Sequence, residues 1–412
     1  MTDQAPLRMI LLASAQSYRG SAFQAAAKKL GIEIVLGEDI PVPMQQKSRA
    51  ALALDYRDIP RSTKTIETYA KDHPIQAILG LDDSGTLLAA SASATLGLSH
   101  NDPAAARATR DKFIMRQCFA EHQVPSPHFA LYSFSQDILK LAESISYPCV
   151  VKPTSLSGSR GVIRANNAAE FILAVKRLKE ILLHERCEEF MVEDYIPGVE
   201  VAVEGLLDNG RLHILAIFDK PDPLEGPFFE ETIYVTPSRL PDATLEQVTA
   251  ASELAAASLG LVNGPMHAEL RCNPQGAWLL EIAGRSIGGL CGQTLRFETE
   301  ATLEELILRQ AFGMDLSGAE RKSGADGVMM IPIPEAGLLK EVRGLEKARQ
   351  VALIDEITIT APLNYPLVPL PEGNSYLGFI FATGNTPQEV ESALREAHAC
   401  LHFEIMPELP VL

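Results

Sequence analysis

The chain has 412 residues, 46% of them hydrophobic and 22% charged, and carries a formal net charge of −17. That length and balance describe a globular protein with room for two or three domains and an ample core. The acidic surface argues against a nucleic-acid partner, which wants basic residues, while a small polyanion stays compatible because a few lysines and a divalent metal invert a local field.

In chain order, "LRMILLAS" (7–14) is a buried-strand run, "SAFQAAAKKLG" (21–31) a helix ending on glycine, and "IEIVLG" (32–37) the next strand. "QAILGLDD" (76–83) reads as a strand before a helix through "TLLAASASATLG". Strands alternating with helices predict a covered parallel sheet, whose ligands sit beyond the carboxyl ends of its strands. Ser14, Arg19, Asp82 and Asp83 stand at those ends, where helix capping explains them as well as ligand contact does. Residues 104–122 read as one charged helix, which "VPSPHF" ends.

"YPCVVKPTSLSGSRGV" (147–162) delivers Lys152 from a short apolar run into a loop of serines and glycines. Such a loop suits backbone N–H groups cradling phosphate, but it lacks the Gly-Lys-Ser/Thr order of a P-loop. A helix follows near 167–184. In "FMVEDYIPGVEVAVEGLLDNGRLHILAIFDK" (190–220) the Asn209-Gly210 pair predicts a hairpin turn that sets Glu200 opposite Asp219. Glu200, Ala202 and Glu204 then share a face. Solvation explains Glu204 as readily as a site does, whereas Glu200 follows a Pro197-Gly198 bend that reads as opening onto a cleft.

"HAELRCNPQGAWLLEIAGR" (267–285) predicts a second hairpin. With a three-residue loop, 274–276, Glu269 faces Glu281; a two-residue loop would set Glu269 opposite Leu280. The first register places His267, Glu269, Arg271, Glu281 and Arg285 on one face, and Ala268, Leu270, Cys272, Trp278, Leu280 and Ile282 on a core face. Opposed carboxylates, with Cβ atoms about 5 Å apart, repel. Mg²⁺ or Mn²⁺, completed by phosphate oxygens and water, resolves that conflict, although Arg271 could also neutralise the pair. No Cys or His cluster suggests zinc. "GRSIGGLCGQTL" (284–295) then packs four glycines beside Arg285. Residues 320–412 mix strands ("GVMMIPI", "YLGFIFATG") with a helix, "TPQEVESALREAHACL". The six cysteines are scattered, no apolar run approaches the roughly 20 residues of a membrane span, and "MILLA" is too short for a signal peptide, so the expected compartment is the cytoplasm.

Taken in order, a lysine on a helix, a strand lysine with a Ser/Gly loop, an acidic segment, a two-glutamate hairpin and an arginine with a glycine loop resemble the ATP-grasp enzymes over essentially the whole chain. The resemblance implies an ATP-grasp fold, α/β overall and α+β in its ATP-grasp part. Its domains would be an N-terminal Rossmann-like parallel-sheet domain (1–103), a two-lobed ATP-grasp domain (104–318, lid about 125–195) and a small C-terminal α+β region (319–412). It implies that Lys112 and Lys152 contact nucleotide phosphates, and that Ser157, Gly158, Ser159 and Gly161 belong to a mobile lid over them. Glu193 and the backbone of Asp194 and Ile196 would meet the adenine edge, Glu200 the ribose hydroxyls, and Tyr195 and Leu280 would belong to the same nucleotide site. Glu269 and Glu281 match the magnesium ligands, and Arg285 the arginine that stabilises an acyl phosphate and its tetrahedral successor. His267 would orient Glu269 or stabilise developing charge.

Many members carry Asn, a third metal ligand, where this chain has Ala283. "EIAGR" is more like the L-amino-acid ligases, as are "AIFDK", "EET" and "VTPSRL" (216–240); Lys220, Glu231, Gly288 and Gly289 would then wall the substrate pocket. The expected reaction is ATP- and Mg²⁺-dependent ligation of a small carboxylate to an amine, both amino acids, with no nucleic acid or membrane involved. A carboxylase-like member activating bicarbonate is the alternative, and a nucleotide-binding module without turnover the third reading. Relatives are often dimers, and the sequence leaves the oligomeric state open.

Overall fold

The computed structural model describes residues 6–14, 17, 19–45, 51–183, 185 and 187–407. Strands β1 (Leu7–Ala13), β2 (Ile32–Asp39), β3 (Leu52–Leu54) and β4 (Ala77–Gly80) form a parallel sheet in the order β3-β2-β1-β4. Met9 to Leu12 are fully buried, as a strand covered on both faces requires. The chain builds outward from β1 to β3 and then returns to the other side of β1 with β4, so a crevice opens between the carboxyl ends of β1 and β4. The helix Asp83–Leu96 starts there, capped by Asp82, whose carboxylate accepts from the Ser84 N–H.

The helix expected over 104–122 is two helices, Pro103–Ala108 and Lys112–Glu121. Asp111 is extended (φ −115°, ψ 106°) and its carboxylate accepts from the N–H groups of Phe113 and Ile114. That cap begins a new helix and makes Lys112 its first residue, with its own N–H donated to Thr154 O at 2.7 Å.

A smaller antiparallel sheet follows from β5 (Phe129–Ser133), β6 (Cys149–Lys152), β7 (Ile163–Ala165) and β8 (Glu189–Asp194), in the order β5-β8-β6-β7. The helix Ala168–Ile181 packs on it through Phe171, Ala174, Val175 and Leu178. An eight-stranded sheet begins with β9 (Val199–Asp208), β10 (Arg211–Lys220), β11 (Ile233–Thr236), β12 (Gly264–Asn273) and β13 (Gly276–Ala283). Of the C-terminal strands β14 (Ala325–Ile331), β15 (Gly337–Arg343), β16 (Ile354–Ile359), β17 (Pro366–Leu367), β18 (Gly378–Gly384) and β19 (His402–Met406), three join it, giving β13-β12-β9-β10-β11-β14-β18-β16. The others form a small sheet, β17-β15-β19. One sheet therefore runs from the central region into the C-terminal one. Among the described residues, no helix is long and apolar enough to cross a membrane.

Both predicted hairpins form, and a bulge changes each. In β9–β10 the pairing runs regularly from Asp208–Arg211 to Gly205–Ile214, then Leu215 is extra and Glu204 pairs with Ala216. Glu200 consequently faces Lys220, not Asp219. In β12–β13 the loop holds two residues, Asn273 pairing with Gly276, and the register stays short until Leu270–Leu279. Leu280 is then extra, which returns Glu269 to its place opposite Glu281. The buried residues near the turn are accordingly Ala277 and Leu279, in place of the expected Trp278 and Leu280. The bend before Glu200 needs glycine: Gly198 has φ 129°, and a Cβ there would lie 2.2 Å from Cys272 O.

Candidate active site

A cavity of about 420 Å³ lies where all three regions meet. Ser14, Arg19, Asp82 and Asp83 enter it from the β1/β4 crevice, Ser157, Gly158 and Ser159 from the loop after β6, and Asn374, Tyr376 and Phe379 from the C-terminal region. Lys112, Lys152, Glu193, Asp194, Tyr195, Ile196, Glu200, Glu231, His267, Glu269, Leu280, Glu281, Arg285, Gly288 and Gly289 also line it. Two expected site residues lie outside that lining. Gly161 donates its N–H to Pro371 O at 2.9 Å, and Lys220 sits behind the wall. The loop expected to be a mobile lid touches the C-terminal region, Arg160 Nε donating to Glu372 O at 2.9 Å.

At one end the two lysines are held by different means. Lys112 Nζ donates to Leu156 O at 2.9 Å and to Glu281 Oε1 at 3.0 Å. Lys152 Nζ lies 2.5 Å from Glu193, whose other oxygen lies 2.7 Å from Arg116 Nε. Arg116 is fully buried and donates from Nη2 to Leu280 O at 2.6 Å. Burial, helped by Arg116 and Lys112 and opposed by Glu193, pushes the Lys152 ammonium down to about 8. The Glu193 carboxylate, expected at the adenine edge, is engaged by these two cations. The Tyr195 ring is flanked by Arg164 (3.9 Å) and Arg271 (5.0 Å).

Further along, Lys220 Nζ contacts three carboxylates: Glu200 at 2.8 Å, Glu269 at 3.2 Å, and Glu231. Glu200, Glu231 and Glu269 converge closely enough to surround a cation, and the ammonium is the cation they surround. Arg271 does not neutralise the Glu269/Glu281 pair; it bonds Glu200 (3.0 Å), Ile196 O (2.9 Å) and Leu224 O. Burial and the adjacent Glu269 raise the Glu231 carboxyl to about 7. For Glu269 burial acts upward too, but Lys220 and His267 outweigh it and hold the group well below its usual range. Glu204, for which solvation was an equal reading, is fully buried and accepts from the Ile287 N–H at 2.9 Å. Its carboxylate also lies 3.1 Å from His267 Nδ1, and His267 Nε2 is 3.8 Å from Glu269. Burial lowers the His267 pKa and the two glutamates more than restore it. His267 is thus held by Glu204, and its Nε2 faces Glu269 from beyond hydrogen-bond distance.

At the far end Arg285 makes a bidentate pair with Asp83, 2.9 Å on each side. Asp83 thus turns from an ambiguous capping residue into a site contact.

Descriptions of three domains match the chain: an ATP-grasp N-terminal domain over 23–100, an ATP-grasp domain over 145–294, and an L-amino acid ligase C-terminal domain 2 over 329–406. The chain belongs to the ATP-grasp superfamily. Within it the resemblance is to the L-amino-acid ligases. The alanine–anticapsin ligase of Bacillus subtilis is 29% identical over 219 residues, which is 48% of this chain and 46% of that protein. Dapdiamide A synthase of Enterobacter agglomerans is 26% identical over 231 residues, 55% of this chain and 54% of that one. The chain spans about half the length of these curated relatives. Over its full extent the fold matches the L-amino acid ligase from Bacillus licheniformis, with a TM-score of 0.80 over 98% of this chain and 100% of that one at 22% identity.

Members of the ATP-grasp superfamily use ATP and a divalent metal, and the donor set here fits one. Glu269 and Glu281 face each other across β12 and β13, offering hard oxygen ligands without thiolate or a histidine pair. Lys112 and Lys220 bracket them. Arg116 is the residue that sequence reasoning missed: it lies within the second helix of the region read as one, and nothing in its spacing marks it as buried under Lys152.

Proposed function

We propose that the protein is an ATP-dependent ligase that joins two L-amino acids through an acyl phosphate. One observation carries the reading. The bulge at Leu280 sets Glu269 opposite Glu281 in a cavity that also holds Lys112, Lys152 and Arg285. In the first step a carboxylate oxygen of one amino acid attacks the γ-phosphorus of ATP, and ADP leaves. In the second, the amine of the other attacks the acyl carbon, loses a proton, and inorganic phosphate leaves. Such chemistry depends on alignment and charge neutralisation more than on a protein nucleophile.

Lys152 and Lys112 would hold phosphate oxygens, and the 156–160 loop would keep water out. Glu269 and Glu281 would hold Mg²⁺ or Mn²⁺, which when bound neutralises the phosphate oxygens during transfer. His267, tied to Glu204, would orient Glu269. Glu231 would accept the ammonium of the acyl-donating amino acid, with Lys220 behind it keeping three carboxylates together. Arg285 would turn from Asp83 toward the oxygen that becomes negative at the acyl carbon.

Phosphate release from Mg-ATP, measured with single L-amino acids, pairs of them, and bicarbonate, tests this reading. Release that requires a pair is expected. Bicarbonate-dependent release would replace the reading with the carboxylase one, and silence throughout would favour a module without turnover. The match to an L-amino acid ligase C-terminal domain favours the first outcome over the second.

A further inference from the structure

Two arginines from different regions converge on one carbonyl group. Arg285 Nη1 donates to Ser286 O at 3.0 Å, and Arg19 Nη1 reaches the same oxygen at 3.5 Å. Arg285 has a carboxylate in bidentate contact. Arg19 is served differently: its Nη2 donates to Ser286 Oγ at 2.6 Å and its Nη1 to Leu81 O at 3.4 Å, both neutral acceptors. Among the described residues, the carboxylate in ion-pair range of Arg19 is Glu304, at 3.8 Å. Arg19 is only 7% exposed, yet it lines the cavity. A buried guanidinium with so little direct countercharge is costly, and burial accordingly pushes its pKa down.

Its position gives the deficit a use. Arg19 follows β1 and Asp83 follows β4, so the crevice offers a cation and an anion side by side with Arg285. The phosphate end of the cavity has its own lysines, and the acyl donor has the Glu231 side. The second substrate must reach the acyl carbon beside Arg285, which leaves it this crevice. An α-amino acid acting as a nucleophile keeps its carboxylate after ligation, and guanidinium is the donor matched to a carboxylate.

We infer that Arg19 binds the carboxylate of the amine substrate and so restricts the nucleophile to amino acids over simple amines. The inference rests on the ligase reading above. Asp83, free once Arg285 turns to the reacting carbonyl, faces the amino end of the same zwitterion.

The test uses the full chain with Mg-ATP and the acyl donor that gives most phosphate release. Nucleophiles are supplied as free L-amino acids and as the matching L-amino-acid carboxamides, which carry no carboxylate and can react only as amines. Wild type should favour the free acid by about 10- to 100-fold in KM, the scale of one charge-assisted contact. In Arg19→Gln that preference should collapse toward unity, because KM for the free acid rises more than KM for the carboxamide. Arg19→Lys, which keeps the charge without the fork, should fall between and serves if the glutamine variant does not fold. Glu304→Gln, which removes the structural partner alone, should keep the wild-type preference. An unchanged preference in both Arg19 variants, or its loss in Glu304→Gln, overturns the inference. If wild type makes no product with either form of nucleophile, the ligase reading fails instead, and the inference with it.

Discussion

The two hairpins of the large sheet have the same design and opposite charge outcomes. Each has a two-residue turn, each runs regularly for four pairs, and each then carries one extra leucine on its returning strand, Leu215 in one and Leu280 in the other. Beyond the bulge, β9–β10 sets Glu200 against Lys220, so the pair settles its own charge. Beyond the bulge, β12–β13 sets Glu269 against Glu281 and supplies no cation of its own, leaving Lys112 to reach Glu281 from a helix and Lys220 to reach Glu269 from the first hairpin. A carboxylate pair in a sheet is a cost, and the second hairpin carries it at the point where a metal-bound phosphate would relieve it. On the reading proposed above, the first hairpin would serve stability and the second a ligand.

That difference predicts opposite phenotypes. Glu281→Gln should reduce ATP-dependent phosphate release to background with only a small change in the thermal midpoint, because it removes the repulsion from Glu269 and the ion pair to Lys112 together. EDTA should silence the wild type in the same way, with Mg²⁺ or Mn²⁺ restoring it. Near-normal release by Glu281→Gln would remove the metal assignment, and a large fall in midpoint would make the second hairpin structural after all.

Lys220→Met is the counterpart. Lys220 is buried among three carboxylates, and removing one partner of a buried ionic cluster costs about 3–5 kcal/mol. The expected outcome is a lower denaturation midpoint. Lys220→Arg, which keeps the charge, should recover part of it. If Lys220→Met is as stable as the wild type, the distinction between the hairpins does not hold.

The same bulges mark where the sequence stops being legible. Turn residues such as Asn209-Gly210 and alternation along a strand specify register only as far as the first extra residue. Nothing about Leu215 distinguishes it from its neighbours, so Lys220 could not be paired with Glu200 in advance. For the second hairpin a three-residue loop gives the same offset at Glu269 and Glu281 as a two-residue loop with a later bulge. The acidic pair was therefore legible, while the residues between turn and bulge were not, and Trp278 and Leu280 exchange roles with Ala277 and Leu279. Strand and helix order in the N-terminal region was readable because apolar runs and glycine stops are local signals. The break at Asp111 was visible only as a capping residue inside an otherwise helical pattern. Arg116 was invisible because a buried arginine is defined by what surrounds it, here Glu193 and the carbonyl that the second bulge exposes.

That last contact gives the smallest predicted effect, and it tests whether the second bulge serves the nucleotide as well as the metal. The Lys152 pKa lies near 8, below its ordinary 10.5. Lys152 is thus charged below about pH 8 and loses its charge above it. KM for ATP should be flat from pH 6.5 to 7.5 and then rise toward roughly tenfold per unit, the limit for a single titrating group. Arg116 is among the groups that push Lys152 down, so Arg116→Met removes a repulsion and raises the lysine pKa. The rising limb of KM should move to higher pH in that variant, a displacement that a general loss of packing would not produce. A limb that stays where it was would mean that the arginine held at Leu280 braces the fold without setting the charge of Lys152.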